Sequence, residues 1–266
     1  MDRIEIWPVL AGAAAACGLF SSAAPTLSEE LHAATSPAYG FLLPTDGLNL
    51  DVGAGLVSRP HQLGETRQVV DAAPMFELQW GKDVHLSLVD GATWTPLHLG
   101  PFEAGPVVEF RQTYATPRLS RGLRNADQWE GGGLLRAITP LGVLEGRLRQ
   151  SLDGDKTTSA DVSFDTAVPL SKQVSLALEA RGAWSDEAFV INVRRGRAAS
   201  VALDQSTSFY AAGLQAAVIW QLSNGWMLTG LVSKDQIVSA DKHRLSFQTR
   251  GAPIASVILT RRFRIF

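Results

Sequence analysis

Charged side chains in the middle of this chain keep to alternate positions, and that spacing is the first clue to their chemistry. Glu77, Glu103, Glu109, Glu130, Arg136, Glu145, Arg147, Arg149, Glu179 and Arg181 alternate with Leu, Val, Ala, Phe, Trp or Gly. In extended chain, successive side chains point to opposite faces, so these carboxylates and guanidinium groups share one face of each strand. Opposite charges on neighbouring strands can then pair. If the sheet closes on itself, that face is the lumen. The candidates for lining it are Glu77, Glu103, Glu109, Arg111, Arg136, Glu145, Arg147, Arg149, Glu179 and Arg181. There they either line a pore or fill a narrow barrel with salt bridges.

Other chemistry is thinner. His85 and Ser87 share a strand face, the minimum for a nucleophile and its base. A lipase in a membrane needs that pair toward lipid, and this one lies on the lumen-type face, so no catalytic residue is expected. His32, His61, His98 and His243 are scattered, with no spacing that suggests a metal site. Gly131, Gly132 and Gly133 lack the strand–loop–helix context of a phosphate loop and read as a strand bend. Arg194, Arg195 and Arg197 form a basic cluster in a long connection, either solvated or against anionic lipopolysaccharide. Neither a cofactor nor a metal is expected.

The elements that carry these residues are strands. A period of two begins at Leu48 and returns repeatedly. It predicts strands at about 47–57, 70–80, 83–89, 93–99, 102–112, 128–138, 143–151, 159–169, 173–185, 208–222, 226–236 and 253–266. Twelve is even, as a single-chain bacterial barrel requires. Asp90-Gly91 and Ser223-Asn224-Gly225 are tight-turn signals. The connections after strands 2, 4, 6, 8 and 10 are short and those after 1, 5, 9 and 11 are longer, though those after 3 and 7 are also short. Outer-membrane barrels sort their connections this way, and a soluble sandwich has no reason to. Trp80, Trp129, Trp184, Trp220 and Trp226 fall near predicted strand ends, as an aromatic girdle at the lipid boundary would.

Composition agrees. The chain has 266 residues, 24 of them glycine, with 45% hydrophobic and 19% charged side chains. That is too polar for a bundle of membrane helices. Beyond the N-terminus no run reaches the roughly 18 apolar residues that a membrane helix needs. A formal net charge of −2 gives no sign of nucleic-acid binding. Residues 1–24 read as a signal peptide: Arg3, an apolar core from Val9 to Phe20, then Ser22-Ala23-Ala24 before Pro25. Cleavage near Ala24 removes Cys17, the one cysteine, and so any disulfide. It also takes Arg3, Asp2 and Glu5 from totals of 24 basic and 26 acidic side chains, leaving 23 and 24. Residues 25–46, rich in Ala, Ser, Thr and Pro, read as a flexible periplasmic leader. The expectation is an all-β, 12-stranded antiparallel transmembrane barrel over 47–266, in the outer membrane, with an N-terminal signal peptide.

Five segments, in this order and spacing, resemble the MipA/OmpV family of outer-membrane barrels. They are Leu48 to Pro60 (LNLDVGAGLVSRP), Ala73 to Leu88 (APMFELQWGKDVHLSL), Gly100 to Arg111 (GPFEAGPVVEFR), Val174 to Glu187 (VSLALEARGAWSDE) and Leu214 to Trp226 (LQAAVIWQLSNGW). The chain departs from the family in His61-Gln62-Leu63-Gly64-Glu65 after the first strand, and at its end. There Arg264-Ile265-Phe266 extends past Phe263, and Phe266 falls out of register with Val257, Leu259 and Phe263. Phe263 and Phe266 are the candidate assembly signal for the barrel-assembly machinery. The family is named for a scaffold that holds a lytic transglycosylase (MltA) and a penicillin-binding synthase. The resemblance thus implies a non-enzymatic scaffold linking the outer membrane to peptidoglycan-processing enzymes, in contact with outer-membrane lipid and lipopolysaccharide. The alternative is a narrow porin-like channel for small solutes.

Overall fold

A computed structural model describes residues 47–60, 68–88, 91–111, 128–152, 158–185, 209–241, 244–248 and 253–265. The signal peptide, the leader, the Arg194 cluster and Phe266 lie outside the described residues. The strand segments are β1 (Leu48–Pro60), β2 (Gln68–Trp80), β3 (Val84–Ser87), β4 (Gly91–Trp94), β5 (Leu97–Leu99), β6 (Phe102–Arg111) and β7 (Gln128–Thr139). There follow β8 (Gly142–Ser151), β9 (Thr158–Pro169), β10 (Val174–Ser185), β11 (Phe209–Gln221), β12 (Trp226–Asp241), β13 (Arg244–Gln248) and β14 (Ile254–Arg264).

Apart from β4–β5 and β13–β14, segments that follow one another in sequence pair antiparallel, and β14 returns to pair with β1 from Asn49↔Arg264 to Ser58↔Ala255. The sheet therefore closes on itself. Two pairs of segments are halves of single staves. β4 and β5 both lie along β6, and β13 and β14 both lie along β12. Fourteen segments thus make a closed barrel of twelve staves. The break between β4 and β5 has a local cause. Pro96 has no N–H to give the ladder. Thr93 faces Val107 but Leu97 faces Ala104, so β4–β5 carries one extra residue as a bulge.

Following the register once around the barrel returns to β1 roughly sixteen residues further along. With twelve staves, that drift implies strands tilted at about 45° and a backbone cylinder about 24 Å across. One end of the barrel holds Gly47, Ile265 and the connections 81–83, 100–101, 140–141, 170–173 and 222–225. The other end is the one at which β1, β3, β6, β8, β10 and β12 finish and β2, β4, β7, β9, β11 and β13 begin. We call these the turn end and the loop end. The turn-end connections need left-handed backbone: Asn224 (φ 59°) and Gly225 (φ 76°) reverse the chain between β11 and β12.

Three expectations shift in detail. The third strand, Val84–Ser87, is shorter than 83–89, although the Leu88 N–H still donates to the Phe76 carbonyl at 3.2 Å. The fourth is divided at Pro96. The eleventh does not end near 236: β12 continues to Asp241 and folds back through β13, so much of the expected 237–252 loop is a hairpin.

Candidate functional site

Alternation sorts the side chains. Val52, Leu56, Val108, Leu135, Leu144, Leu148, Val218 and Val257 are outward and exposed. Among the described strand residues between the aromatic levels, the outward face is apolar, small or uncharged apart from Lys234. At the turn end this belt is edged by Trp80, Trp94, Phe102, Trp220, Trp226 and Phe263, all exposed. Towards the loop end it is edged by Phe110, Trp129 and Trp184, with the Phe110 and Trp129 rings 5.1 Å apart. The five girdle tryptophans singled out from the sequence all face outward at these two levels. Val174 faces Trp220, and Trp184 lies ten residues further along β10. That is about 33 Å along the strand and about 23 Å of height at a 45° tilt. An apolar belt close to 25 Å tall between aromatic rings is the surface of a membrane-spanning barrel. Of the two candidate terminal residues, Phe263 is outward, with the Arg261 guanidinium 4.9 Å from its ring centroid and 5.7 Å from that of Trp226.

Inside, the charged residues form a connected ladder. At the turn end His98 Nε2 lies 2.9 Å from an Asp83 oxygen, and its Nδ1 lies 3.5 Å from Glu103. Arg136 comes next, 3.4 Å from Glu103 and 2.6 Å from Glu145. Arg147 Nε donates to the other Glu145 oxygen at 2.6 Å, and its Nη1 lies 3.6 Å from Glu109. Arg149 bonds both Glu109 and Asp161 and lies 3.6 Å from Glu130. Ser159 then donates to Glu130 at 3.0 Å. The chain of contacts thus climbs from the turn 81–83 nearly to the loop end of β7, alternating acid and base throughout.

Register explains how the ladder assembles. Glu103 faces Arg136, Arg136 faces Glu145, Arg147 faces Asp161, and Glu109 faces Glu130. Glu109 and Glu130 would repel as direct partners, and Arg149 lies against both. Gly132, opposite Arg149, makes the room: a Cβ there would run into the Leu148 carbonyl oxygen and the Arg149 backbone. The expected bend at Gly131–Gly133 is instead unbroken strand, with a bare surface beside the arginine. Glu109 is 1% exposed and Glu130 0% exposed. One Glu109 oxygen and Arg149 Nε have ion-pair contacts but no hydrogen bond. The charges are matched more fully than the hydrogen bonds are.

Of the remaining lumen candidates, Glu77 is buried and lies 3.0 Å from His85. Glu179 is buried beside Arg181 at 3.7 Å. Arg111 is within β6, but its side chain lies outside the described residues. Ser87 is buried on the inward face, away from lipid. Among the described residues no cluster of three or more His, Cys, Asp or Glu could hold a metal.

Sequence reasoning missed two sets of inward residues. Arg262 grips Asp51 across the closing seam, its Nε donating at 2.8 Å, and Arg59 donates to Asp71 at 2.8 Å. No local signal joins Asp51 to a residue 211 positions away. The second set is apolar. Val57, Ala73, Met75, Ala217, Ile219, Leu231, Ile254 and Ile258 point inward and form a buried cluster with Ala177. The expectation of a polar lumen therefore fits the β6–β10 wall, whereas the wall from β11 to β2 is mixed, with this apolar cluster beside the Asp51–Arg262, Arg59–Asp71 and Glu77–His85 pairs.

No family model matches the chain, and no curated protein matches it. The MipA/OmpV resemblance therefore rests on its five segments alone. The chain is similar in structure to the outer-membrane expressed OmpT of Vibrio cholerae, at 4% identity and a TM-score of 0.39, over 81% of this chain and 97% of that one. It is similar to the COG4313 outer membrane channel from Pseudomonas putida F1 at 10% identity and a TM-score of 0.38, over 83% and 97%. It is also similar to the CymD monoaromatic hydrocarbon channel at 10% identity and a TM-score of 0.36, over 88% and 93%. These similarities attach none of those proteins' activities to this chain. The barrel stands on its own strand pairing.

Proposed function

We propose that this protein is an outer-membrane barrel providing a narrow, porin-like conduit for small cations, held closed by its own ion pairs. The observation that carries the reading is the unbroken ladder from Asp83 to Glu130. Burying a charge is costly even when it is paired, and well-packed apolar residues often serve stability as well or better. Apolar filling is open to this barrel, because part of the opposite wall is the apolar cluster of Val57, Met75, Ile219, Leu231, Ile254 and Ile258. The charges on β6–β10 are therefore kept for something besides closure. Six carboxylates (Asp83, Glu103, Glu109, Glu130, Glu145 and Asp161) face three guanidinium groups (Arg136, Arg147 and Arg149) along the ladder. That excess favours cations. When an arginine swings away from a carboxylate, a passing cation replaces its charge. The arginine stays on its second carboxylate, since each of the three touches at least two, so neither the guanidinium nor the vacated carboxylate is left bare.

Planar-bilayer recording tests this. The wild-type barrel should give small, cation-preferring steps. An Arg136→Gln/Glu145→Gln double variant removes one pair while Glu103 keeps His98 and Arg147 keeps Glu109 as neighbours, and should open more often. Silence from both proteins overturns the reading.

A second reading starts from burial. Glu109, Glu130, Glu145 and Arg149 are almost inaccessible to solvent, as a permanently closed barrel would have them. Such a barrel acts through its surfaces, which is what the scaffold role implied by the MipA/OmpV resemblance requires. That role predicts a lytic transglycosylase or penicillin-binding protein co-purifying through the turn end. Substituting residues in the connections 81–83, 140–141 and 170–173 should release it.

A further inference from the structure

The outward face carries one feature that a lipid belt does not need. β9 to β12 form a groove of about 410 Å³, lined by Phe164, Leu178, Ala180, Leu214, Ala216 and Val232, with Lys234 at one end. The register shows why there is a groove. Ala180 lies between Phe164 and Leu214, and Ala216 lies between Leu178 and Val232. The two alanines are diagonal neighbours, so they make a low floor between larger side chains. Apart from Lys234 the outward side chains that line it are almost wholly apolar.

Lys234 stands alone in its charge. Among described outward-facing strand residues, the other basic side chains lie at the turn end, where Arg261 rests on Trp226 and Phe263. Lys234 is exposed and has no ion-pair partner among the described residues. A lysine facing lipid costs about 2–4 kcal/mol at the bilayer midplane and little near the interface. Height therefore decides what it can do. Lys234 faces Leu214, which faces Ala180, four residues before Trp184 on β10. The tilted sheet climbs about 3 Å per strand from β10 to β12, which brings Lys234 to within about 3 Å of the height of Trp184. Its ammonium thus lies at headgroup level at the loop end. The groove descends from it to about mid-height, near Leu178.

We infer that this groove holds one acyl chain of a phosphate-bearing lipid in the leaflet at the loop end, with Lys234 paired to the phosphate. The shape fits a chain rather than a compact solute, and the single cation sits where a lipid phosphate lies. On the proposed orientation, with the loop end outside, the occupant is an acylated, phosphorylated glycolipid of the lipid A class. The inference requires that the barrel span the membrane. It does not require that the barrel conduct, so a silent bilayer leaves it standing.

Native mass spectrometry of the full chain in detergent, titrated with bis-phosphorylated lipid A and separately with phosphatidylcholine, tests it. Wild type should retain one lipid A in preference to phosphatidylcholine. Lys234→Gln should weaken lipid A retention about fivefold, the worth of one basic side chain at an anionic surface, and leave phosphatidylcholine unchanged. Ala216→Phe should fill the floor and abolish selective retention, while heat-modifiable mobility reports that the barrel is still folded. Equal retention of the two lipids by wild type would overturn the inference. So would lipid A retention that neither substitution changes in a folded barrel, or displacement of the lipid by inorganic phosphate alone.

Discussion

The lumen has two walls that are packed in opposite ways. From β6 to β10 it is lined by Glu103, Glu109, Glu130, Arg136, Glu145, Arg147, Arg149 and Asp161, held by paired charges. From β11 round to β2 its middle is an apolar cluster of Ile219, Leu231, Ile254, Ile258, Val57 and Met75, with only separate pairs such as Asp51–Arg262 and Arg59–Asp71 beside it. Both walls are buried, and both belong to one continuous sheet. Their responses to damage should differ. An apolar wall that loses a side chain loses contacts and gains a cavity. A charged wall that loses one partner keeps the other's charge out of water, unpaired. The difference teaches that the charged wall is the specific one. Its residues tolerate paired replacement far better than single loss.

The largest effect should come from cutting the ladder where it branches. Arg149→Ala takes one guanidinium from Glu109, Glu130 and Asp161 at once, and should cost about 3–5 kcal/mol, read by chemical unfolding of the barrel in detergent. A cost below that of a core truncation would show that the ladder is solvated and the contrast false. On the other wall, Leu231→Ala should cost about 2–4 kcal/mol by the same measurement, with no change in ion selectivity. The two walls separate most sharply when the charges are removed as a set. Replacing Arg136, Glu145 and Arg147 with Met, Leu and Met should leave stability within about 1 kcal/mol of wild type or raise it. Cation preference in bilayers should rise at the same time, because five carboxylates of the ladder then face one guanidinium. A severe loss of stability would mean that the charges serve closure after all. The smallest effect belongs to the outer face. Lys234→Leu should raise stability by at most about 1 kcal/mol in lipid-free detergent, and any gain should shrink when lipid A is added.

Much of the site was legible in the sequence because a strand's period is short and fixed. Glu145, Arg147 and Arg149 could only share a face, and that face could only be opposite Leu144 and Leu148. The tryptophans were legible for the same reason, since position along a strand sets height in the bilayer. The apolar inner wall was not legible. In β11 and β14, residues such as Ala216, Ala217, Val218 and Ile219 are apolar on both faces, so alternation gives no contrast to read. The stave divided at Pro96 was half legible: a proline predicts a break in the ladder, but the bulge depends on the partner strand.

The sequence by itself determined that this chain forms antiparallel strands with one apolar face, and that its connections are sorted by length. Those properties follow from the local period and from turn chemistry. Only the tertiary structure decided which charges meet. Pairing between strands is set by register, and register accumulates around the whole barrel. Asp51 finds Arg262 because the sheet closes, and Arg149 reaches Glu109, Glu130 and Asp161 because β6 and β7 on one side and β9 on the other are in step with β8. The groove beneath Lys234 has the same origin. Ala180 and Ala216 lie 36 positions apart and become one floor only when β10 and β11 align.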